Sequence, residues 1–444
     1  MTNYETVIGL EVHVELNTNS KMFCKCSAQY FNEDPNSQTC PVCLGLPGAL
    51  PYVNKQAIED CIKIGLALGC TVSPLSRFER KNYFYPDLPK GYQISQYRWP
   101  LCVGGSIEVD GKDGKRIFVR INRAHQEEDT GKLTHTGTDT LIDYNRSGVP
   151  LVEIVTEPDF NQVEQIKDYA QKLQQIFRYL GVSNADMEKG DMRLEANISV
   201  RPEGQKELPP YRVELKNINS FRFMMAAVEY EIKRQIEAHE KGEKLIQETR
   251  GWDEDKKITF IQRVKEEAND YRYFPEPDLP ELRVDSTDIN RIKSELPELP
   301  LIRIKRFIDE YSLNNASAKI LTESRALADY YEQTVEHGKQ HNVDPKTIAN
   351  HLINKKINID EVLPAQVIKD ILEKSTGVID NEGELEKLAQ EVISENTQSV
   401  SDYKGGKETA IQALIGGIMR KTKGKADANK AKQILEKLLL EVSL

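Results

Sequence analysis

The chain contains no apolar run near the ~18 residues that a membrane span needs. Its opening, Met1-Thr2-Asn3-Tyr4-Glu5-Thr6-Val7, lacks the basic-then-apolar pattern of a secretory signal. The cytoplasm is therefore the expected compartment, with no membrane partner. There is no Walker A loop. Gly405-Gly406-Lys407-Glu408-Thr409 lacks the leading glycine and reads as a helix start. There is no G-x-G-x-x-G after a strand and no Gly-flanked serine nucleophile. A P-loop nucleotidase, a dinucleotide-binding domain and an α/β-hydrolase are thereby excluded. No internal repeat or low-complexity tract is present.

What is there is an ordinary globular mixture. The 444 residues are 39% hydrophobic and 29% charged, long enough for two or three domains. The net charge of −10 argues against a nucleic-acid partner for the chain as a whole. From Ser401 to Leu444, however, nine Lys and Arg stand against five Asp and Glu. That local basic character suits a solvated helix face as well as an RNA contact.

Hydrophobic periodicity orders the chain. Leu10, Val12, Val14 and Leu16 alternate with Glu11, His13 and Glu15. Met192 to Val200 repeats the design, and Tyr211, Val213 and Leu215 alternate with Arg212, Glu214 and Lys216. Period two with one polar face predicts an antiparallel sheet buried on one side. Helical stripes interrupt it: Asn54 to Leu68, Val163 to Leu180 closed by Gly181, and Met225-Val228-Ile232 after Ser220. Pro275, Pro277, Pro280, Pro297 and Pro300, five of the chain's twenty prolines, suggest a linker. Beyond it the pattern is helical: Leu301–Tyr311, Ser317–His337, Pro345–Asn354, Pro364–Glu373, Gly383–Ile393, Lys407–Met419 and Asp427–Glu441. The fold class is α+β, with an antiparallel-sheet part followed by an all-α part and an α-helical tail.

Three constellations carry chemistry. Four of seven cysteines form two short pairs, Cys24-x-Cys26 and Cys40-x-x-Cys43, separated by 13 residues. That spacing fits a closed four-thiolate site for a structural zinc, the alternative being buried free thiols. Second, Glu11, His13 and Glu15 share a strand face, His125-Gln126-Glu127-Glu128-Asp129 adds carboxylates, and Glu195 and Glu214 lie on other polar faces. So many carboxylates need compensation, by divalent cations such as magnesium or by Arg and Lys partners. Third, Arg80-Lys81-Asn82-Tyr83-Phe84-Tyr85-Pro86-Asp87-Leu88-Pro89-Lys90-Gly91-Tyr92-Gln93 is rich in aromatics and cations. In it Lys81 and Lys90 could hold an anion or line a polar passage, and Asp270 to Asp278 is a second such segment.

Val7 to Leu16, Arg80 to Gln96, His125 to Lys132, Glu214-Leu215-Lys216-Asn217-Ile218-Asn219-Ser220-Phe221 and Asp270 to Asp278 together resemble the GatB family, the B subunits of the aspartyl/glutamyl-tRNA amidotransferases. The resemblance runs through nearly the whole chain in order. It implies a cradle catalytic domain over 1–292, related in logic to glutamine synthetase and carrying the knuckle at 24–43. A helical domain over 293–363 and a shortened YqeY-like tRNA-binding tail over 364–444 follow. It further implies a carbon–nitrogen ligase with glutamine as amido donor. With ATP and Mg2+ such an enzyme phosphorylates the side-chain carboxylate of Glu-tRNA(Gln) or Asp-tRNA(Asn). Ammonia then displaces phosphate, made by a glutaminase A subunit in a heterotrimer that a C subunit ties together. Glu11, His13, Glu127 and Glu128 would hold magnesium, with Glu195 and Glu214 as further catalytic candidates, and Lys81 and Lys90 would line the ammonia path. A structural Zn2+ would sit on Cys24, Cys26, Cys40 and Cys43.

Some features depart from the family pattern. Ala316-Ser317-Ala318 stands where relatives often carry Tyr-Asp-Ala, and the stretch between Pro364 and Asn381 is short by about one helical hairpin. No large insertion follows Pro280, which argues against the archaeal E-subunit relatives. Two other readings are a catalytically impaired scaffold that presents tRNA and a free-standing ligase acting on a small amino acid.

Overall fold

The computed structural model describes residues 3–112, 114–264, 271–375, 381–422 and 426–441. Asp270, part of the gap before Asn381, and Lys423 and Lys425 of the basic tail lie outside them. The chain divides into two compact units, Met1–Arg303 with Glu323–Arg325, and Ile304–Thr322 with Ala326–Leu444. Among the described residues no helix is long and apolar enough to cross a membrane.

The first unit is built on a ten-stranded sheet. Its strands include β1 (Tyr4–Glu15), β4 (Arg116–Glu128), β5 (Pro150–Thr156), β6 (Met192–Pro202), β7 (Val213–Leu215), β8 (Glu248–Asp253) and β9 (Ile258–Val264). Two further strands, β2 (Glu79–Asn82) and β3 (Tyr92–Ser95), form a separate small sheet with Phe274–Pro275. In the large sheet the order runs β9-β8-β7-β6-β1-β5-β4 and ends on the short Cys102–Val103 and Thr71–Val72 strands. Every pairing is antiparallel except β7 with β8, which the helix Phe221–Glu240 connects.

The alternation read from β1 and β6 is what buries one face. Leu10, Val12, Val14, Leu194, Ala196 and Ile198 belong to one core with residues of α1 (Lys55–Ala67), α2 (Val163–Leu180) and α3 (Phe221–Glu240). Asn54 caps α1, accepting from Ala57 N at 3.2 Å, while its amide donates to Ser20 O at 2.9 Å. Gly181, at φ 69, ends α2 in the left-handed conformation that glycine adopts without strain.

Gly65 stands inside α1 against the buried Cys102. A β-carbon there would lie 2.8 Å from Cys102 Cβ. Helix propensity favours Ala over Gly by roughly 1 kcal/mol. Overpacking a closed core costs about 1–3 kcal/mol. Gly65→Ala is therefore expected to lower stability on balance, read as an earlier denaturation midpoint. A later midpoint would show that Cys102 can yield.

The proline-rich stretch is not a linker. It contains α4 (Ser286–Glu295), capped by Asp285, whose side chain accepts from Asp288 N at 2.9 Å. Ile292 is buried in the main core, so apolar packing holds this segment to the sheet domain.

The second unit is helical: α5 (Pro300–Tyr311, its first residues in the first unit), α6 (Asn315–Leu321), α7 (Arg325–Lys339, its first residue in the first unit), α8 (Pro345–Lys355), α9 (Pro364–Ser375), α10 (Glu382–Glu395), α11 (Thr397–Lys404), α12 (Ile411–Lys421) and α13 (Ala428–Glu441). The single helix expected over Ser317–His337 is two: the first ends at Leu321 with Thr322 as its C-cap, and the second begins at Arg325. Lys407–Met419 begins as a short 3-10 turn at Glu408–Ala410 before α12, and α11 precedes it unforeseen. Gly405 and Gly406 end α11 rather than start a helix, Gly406 at φ 91. Two separate hydrophobic clusters form, one from Phe307 to Ile371 and one from Leu385 to Leu439.

Candidate functional site

The polar face of the large sheet floors a cleft of about 590 Å³. Register decides what meets there. Glu11 pairs with Glu195 on β6 and Val155 on β5, His13 pairs with Arg193 and Glu153, Glu153 pairs with His125 on β4, and Asn197 pairs with Glu214 on β7. Residues two apart share a face, so Glu11 and His13, His125 and Glu127, Arg193 and Glu195, and Arg212, Glu214 and Lys216 all line the cleft.

Two groups of ligand atoms result, each closing to within 4.8 Å: Glu11, Glu195 and Glu214, and His13, Glu127 and Glu153. The first is all oxygen, the donor set that hard divalent cations take. Like charges directly across a sheet repel, and Glu11 faces Glu195. Asn197 Nδ2 donates to Glu11 at 2.9 Å and Thr249 Oγ1 to Glu214 at 2.6 Å. Burial, then the charges of Glu153 and Glu195, raise the Glu11 carboxyl. A cation at this point would remove that cost, so the residues fit one.

The second group is charge-balanced by histidine. His13 Nε2 is 3.7 Å and His125 Nε2 3.3 Å from Glu153, and His125 is 3.5 Å from Glu127. Burial works against charging His13, but the hydrogen bond and charge of Glu153, with Glu195 and Glu127, outweigh it and push it up to about 9. Burial would raise Glu153, yet His125 and His13 hold it well below the usual carboxylate range. An imidazole and two carboxylates within reach of one point form a mixed donor set that a divalent ion can use in place of the proton.

Lys81 reaches the cleft from β2. Its ammonium lies 5.8 Å from the Tyr83 ring and 5.3 Å from that of Tyr271. Burial opposes its charge, but Glu127 and its surroundings raise it well above the ordinary lysine value. The two aromatic segments thus form one wall, for Arg80 pairs with Phe274 in the small sheet and grips Glu276 at 2.6 and 2.7 Å.

The structure does not bring all the expected residues together. Glu128 follows Glu127 directly and so turns to the opposite face. There it pairs with Lys90 and accepts from Ile94 N at 2.9 Å. Lys81 and Lys90 therefore stand on different sides of β4. Glu15 leaves the row of Glu11 and His13 as well. It accepts both contacts from Tyr30 Oη, at 3.0 and 3.2 Å, beside Asp129, which ion-pairs with Arg193. Burial and then Asp129 raise Glu15 well above the carboxylate range. Sequence reasoning misses Glu153. Its signal is a single acid inside the apolar run Pro150-Leu151-Val152-Glu153-Ile154-Val155.

The cysteines also converge. One sulfur each from Cys24, Cys26, Cys40 and Cys43 lies within 4.8 Å of the others. Cys40 N donates to Cys43 Sγ at 3.1 Å. The hydrogen bond from Cys24, working against burial, lowers the Cys43 thiol to about 5. Four sulfurs this close to one another fit a closed tetrahedral metal site.

Comparison with known proteins gives the same answer along the whole chain. Residues 6–290 match a family profile described as the GatB/GatE catalytic domain, and residues 342–439 one described as the GatB domain. The chain is 46% identical to the B subunit of the aspartyl/glutamyl-tRNA(Asn/Gln) amidotransferase of Carboxydothermus hydrogenoformans, over 100% of both chains. It is 45% identical to the protein of the same name from Caldanaerobacter subterraneus, over 98% of this chain and 99% of the relative. It is 42% identical to that of Crocosphaera subtropica, over 99% and 98%. The first alignment runs over 488 positions, so that relative carries segments absent from these 444 residues.

Proposed function

The chain belongs to the GatB family, as the B subunit of a multi-subunit, glutamine-dependent amidotransferase, and from this we propose that its cleft uses ATP and magnesium to activate the side-chain carboxylate of Glu-tRNA(Gln), Asp-tRNA(Asn) or both for amidation. The observation that carries the reading is the pair of ligand groups on one sheet face, Glu11-Glu195-Glu214 and His13-Glu127-Glu153. Phosphorylating a carboxylate brings two anions together, and activity requires that their repulsion be neutralised. Bound there, divalent ions would supply Lewis-acid stabilisation of phosphoryl charge.

The chain's own groups do the rest. Arg212 and Lys216, which flank β7 and line the cleft, present cations to a polyphosphate. Lys81, held by tyrosine rings beside Glu127, offers a fixed positive charge to the substrate carboxylate or its acyl phosphate. Phosphate is then the leaving group that the bare carboxylate lacks, and ammonia takes its place. The passage for ammonia is assigned to the far side of β4, through the Lys90–Glu128 pair, where a cation and a carboxylate closed on each other admit a neutral molecule more readily than an ion. A and C subunits would supply that ammonia and complete a heterotrimer, the helices from Pro364 onward would hold the tRNA, and Cys24, Cys26, Cys40 and Cys43 would hold a structural zinc.

The test is amide formation on Glu-tRNA(Gln) and Asp-tRNA(Asn) by the reconstituted three-subunit complex, with ATP, magnesium and glutamine. Product that requires both ATP and the aminoacyl-tRNA, and that Glu11→Ala removes, is the expected result. Bound tRNA with no product under any combination would instead favour a scaffold that only presents the substrate.

A further inference from the structure

The Lys90–Glu128 pair lines a compartment of about 70 Å³ that the cysteine knuckle also helps to wall. The knuckle loop from Pro41 to Pro47 is largely exposed, Cys43 being its buried point. Its internal ties are backbone turns, Leu44 N to Cys40 O at 3.0 Å and Gly45 N to Val42 O at 3.0 Å. With so little apolar burial, ligation of Cys40 and Cys43 is the main constraint available to fix this loop.

Two contacts carry that constraint to the ion pair. Gly45, at φ 66, abuts Lys90 so closely that a β-carbon would lie 2.5 Å from Lys90 Cγ and 3.2 Å from Lys90 Cα. On the other side Lys21, 1% exposed, sets its ammonium 3.8 Å from Cys43 Sγ and donates to Gln38 O at 2.7 Å and Tyr144 O at 3.3 Å. A β-carbon on Gly148 would touch Lys21 Cδ at 3.5 Å, Cys43 Cβ at 3.7 Å and Glu128 Oε2 at 3.9 Å. Knuckle, buried lysine and ion pair therefore converge around Gly148 and this one compartment.

We propose that the four-cysteine centre is a clamp on the Lys90–Glu128 pair: metal on Cys24, Cys26, Cys40 and Cys43 fixes the loop at Gly45, which holds the Lys90 stem against Glu128 and so sets the entry of ammonia. The proposal rests on the reading of that pair as the ammonia passage. Gly45 and the metal centre are positioning elements; neither touches the reacting atoms.

The three-subunit complex tests this with ammonium chloride as the nitrogen source. Gly45→Ala is compared with Gly48→Ala, which has φ 87 but nothing within 4 Å of its β-carbon. Both substitutions meet left-handed backbone strain, and only the first meets Lys90. A positioning defect of this kind is expected to raise the KM for ammonia roughly tenfold in Gly45→Ala. Its zinc content and its KM for ATP should stay unchanged, and Gly48→Ala should leave all three unchanged. Wild-type complex stripped of zinc by a chelator should show the same ammonia defect and lose it when zinc is restored. An unchanged ammonia KM in either Gly45→Ala or the stripped complex overturns the proposal, as does an equal rise in the KM for ATP. If Gly45→Ala fails to fold, the chelation arm decides. Absence of amide formation by the untreated wild-type complex would refute the functional reading beneath it instead.

Discussion

Glu153→Gln is expected to reduce ATP-dependent amide formation by about three orders of magnitude, on the order of 4 kcal/mol of transition-state stabilisation. The glutamine has nearly the same volume, so packing along β5 is preserved, but the negative charge is lost. Three cations or potential cations converge on that charge: His13 at 3.7 Å, His125 at 3.3 Å and Arg123 at 3.9 Å. With Glu153 neutral, one of the three ligand atoms in the His13-Glu127-Glu153 group is weakened and both histidines lose their strongest partner. Binding of aminoacyl-tRNA should be little changed on the proposal that the helices from Pro364 onward hold it. Steady-state amide formation and a tRNA binding isotherm, measured on the same preparation, separate the two effects. A loss of tenfold or less would remove Glu153 from the proposed ligand set.

The second large effect is on stability. Glu231 on α3 is fully buried and accepts from Arg234 at 2.7 to 3.2 Å, Gln235 at 2.8 Å and Thr259 at 3.0 Å, with Arg250 at 3.5 Å. Glu248 shares both arginines, at 3.0 and 2.9 Å. The network fastens α3 to β8 and β9, the last strands of the sheet. Glu231→Ala leaves Arg250 largely buried with Glu248 as its remaining acidic partner among these residues, and breaking such a pair from one side costs about 3–5 kcal/mol. Trp99 and Trp252 are the chain's two tryptophans and both belong to the first unit, so fluorescence-detected urea unfolding reads the unit that matters. A midpoint shift equivalent to less than about 1 kcal/mol, the scale of an exposed pair, would show that the network is not cooperative.

Much of this site could be read in the sequence because a strand has a period of two. The alternation in β1, β6 and β7 was enough to place Glu11, His13, Glu195 and Glu214 on polar faces. The same rule, applied to Glu127 and Glu128, separates them, and the structure does so. What alternation could not supply is register between strands some 140 or 180 residues apart in sequence, and register is what sets Glu153 beside His13 rather than one pair further along. Nor could it show that Arg80 of one aromatic segment pairs with Phe274 of the other. In the helical half, amphipathic stripes located most helices, but the break after Leu321, with Thr322 at the cap, carries no proline or glycine to announce it and was invisible.

The central position of β1 has a consequence for how the protein is made. This strand is made before both of its neighbours in the sheet, β5, beginning at Pro150, and β6, beginning at Met192. At a synthesis rate of roughly 5–20 residues per second, β1 waits on the order of ten seconds or more with both edges unpaired and Leu10, Val12 and Val14 uncovered. A nascent chain stopped short of β6 therefore carries β1 with one edge still unpaired. Guarding that strand during translation falls to whatever holds unfinished chains in the cell.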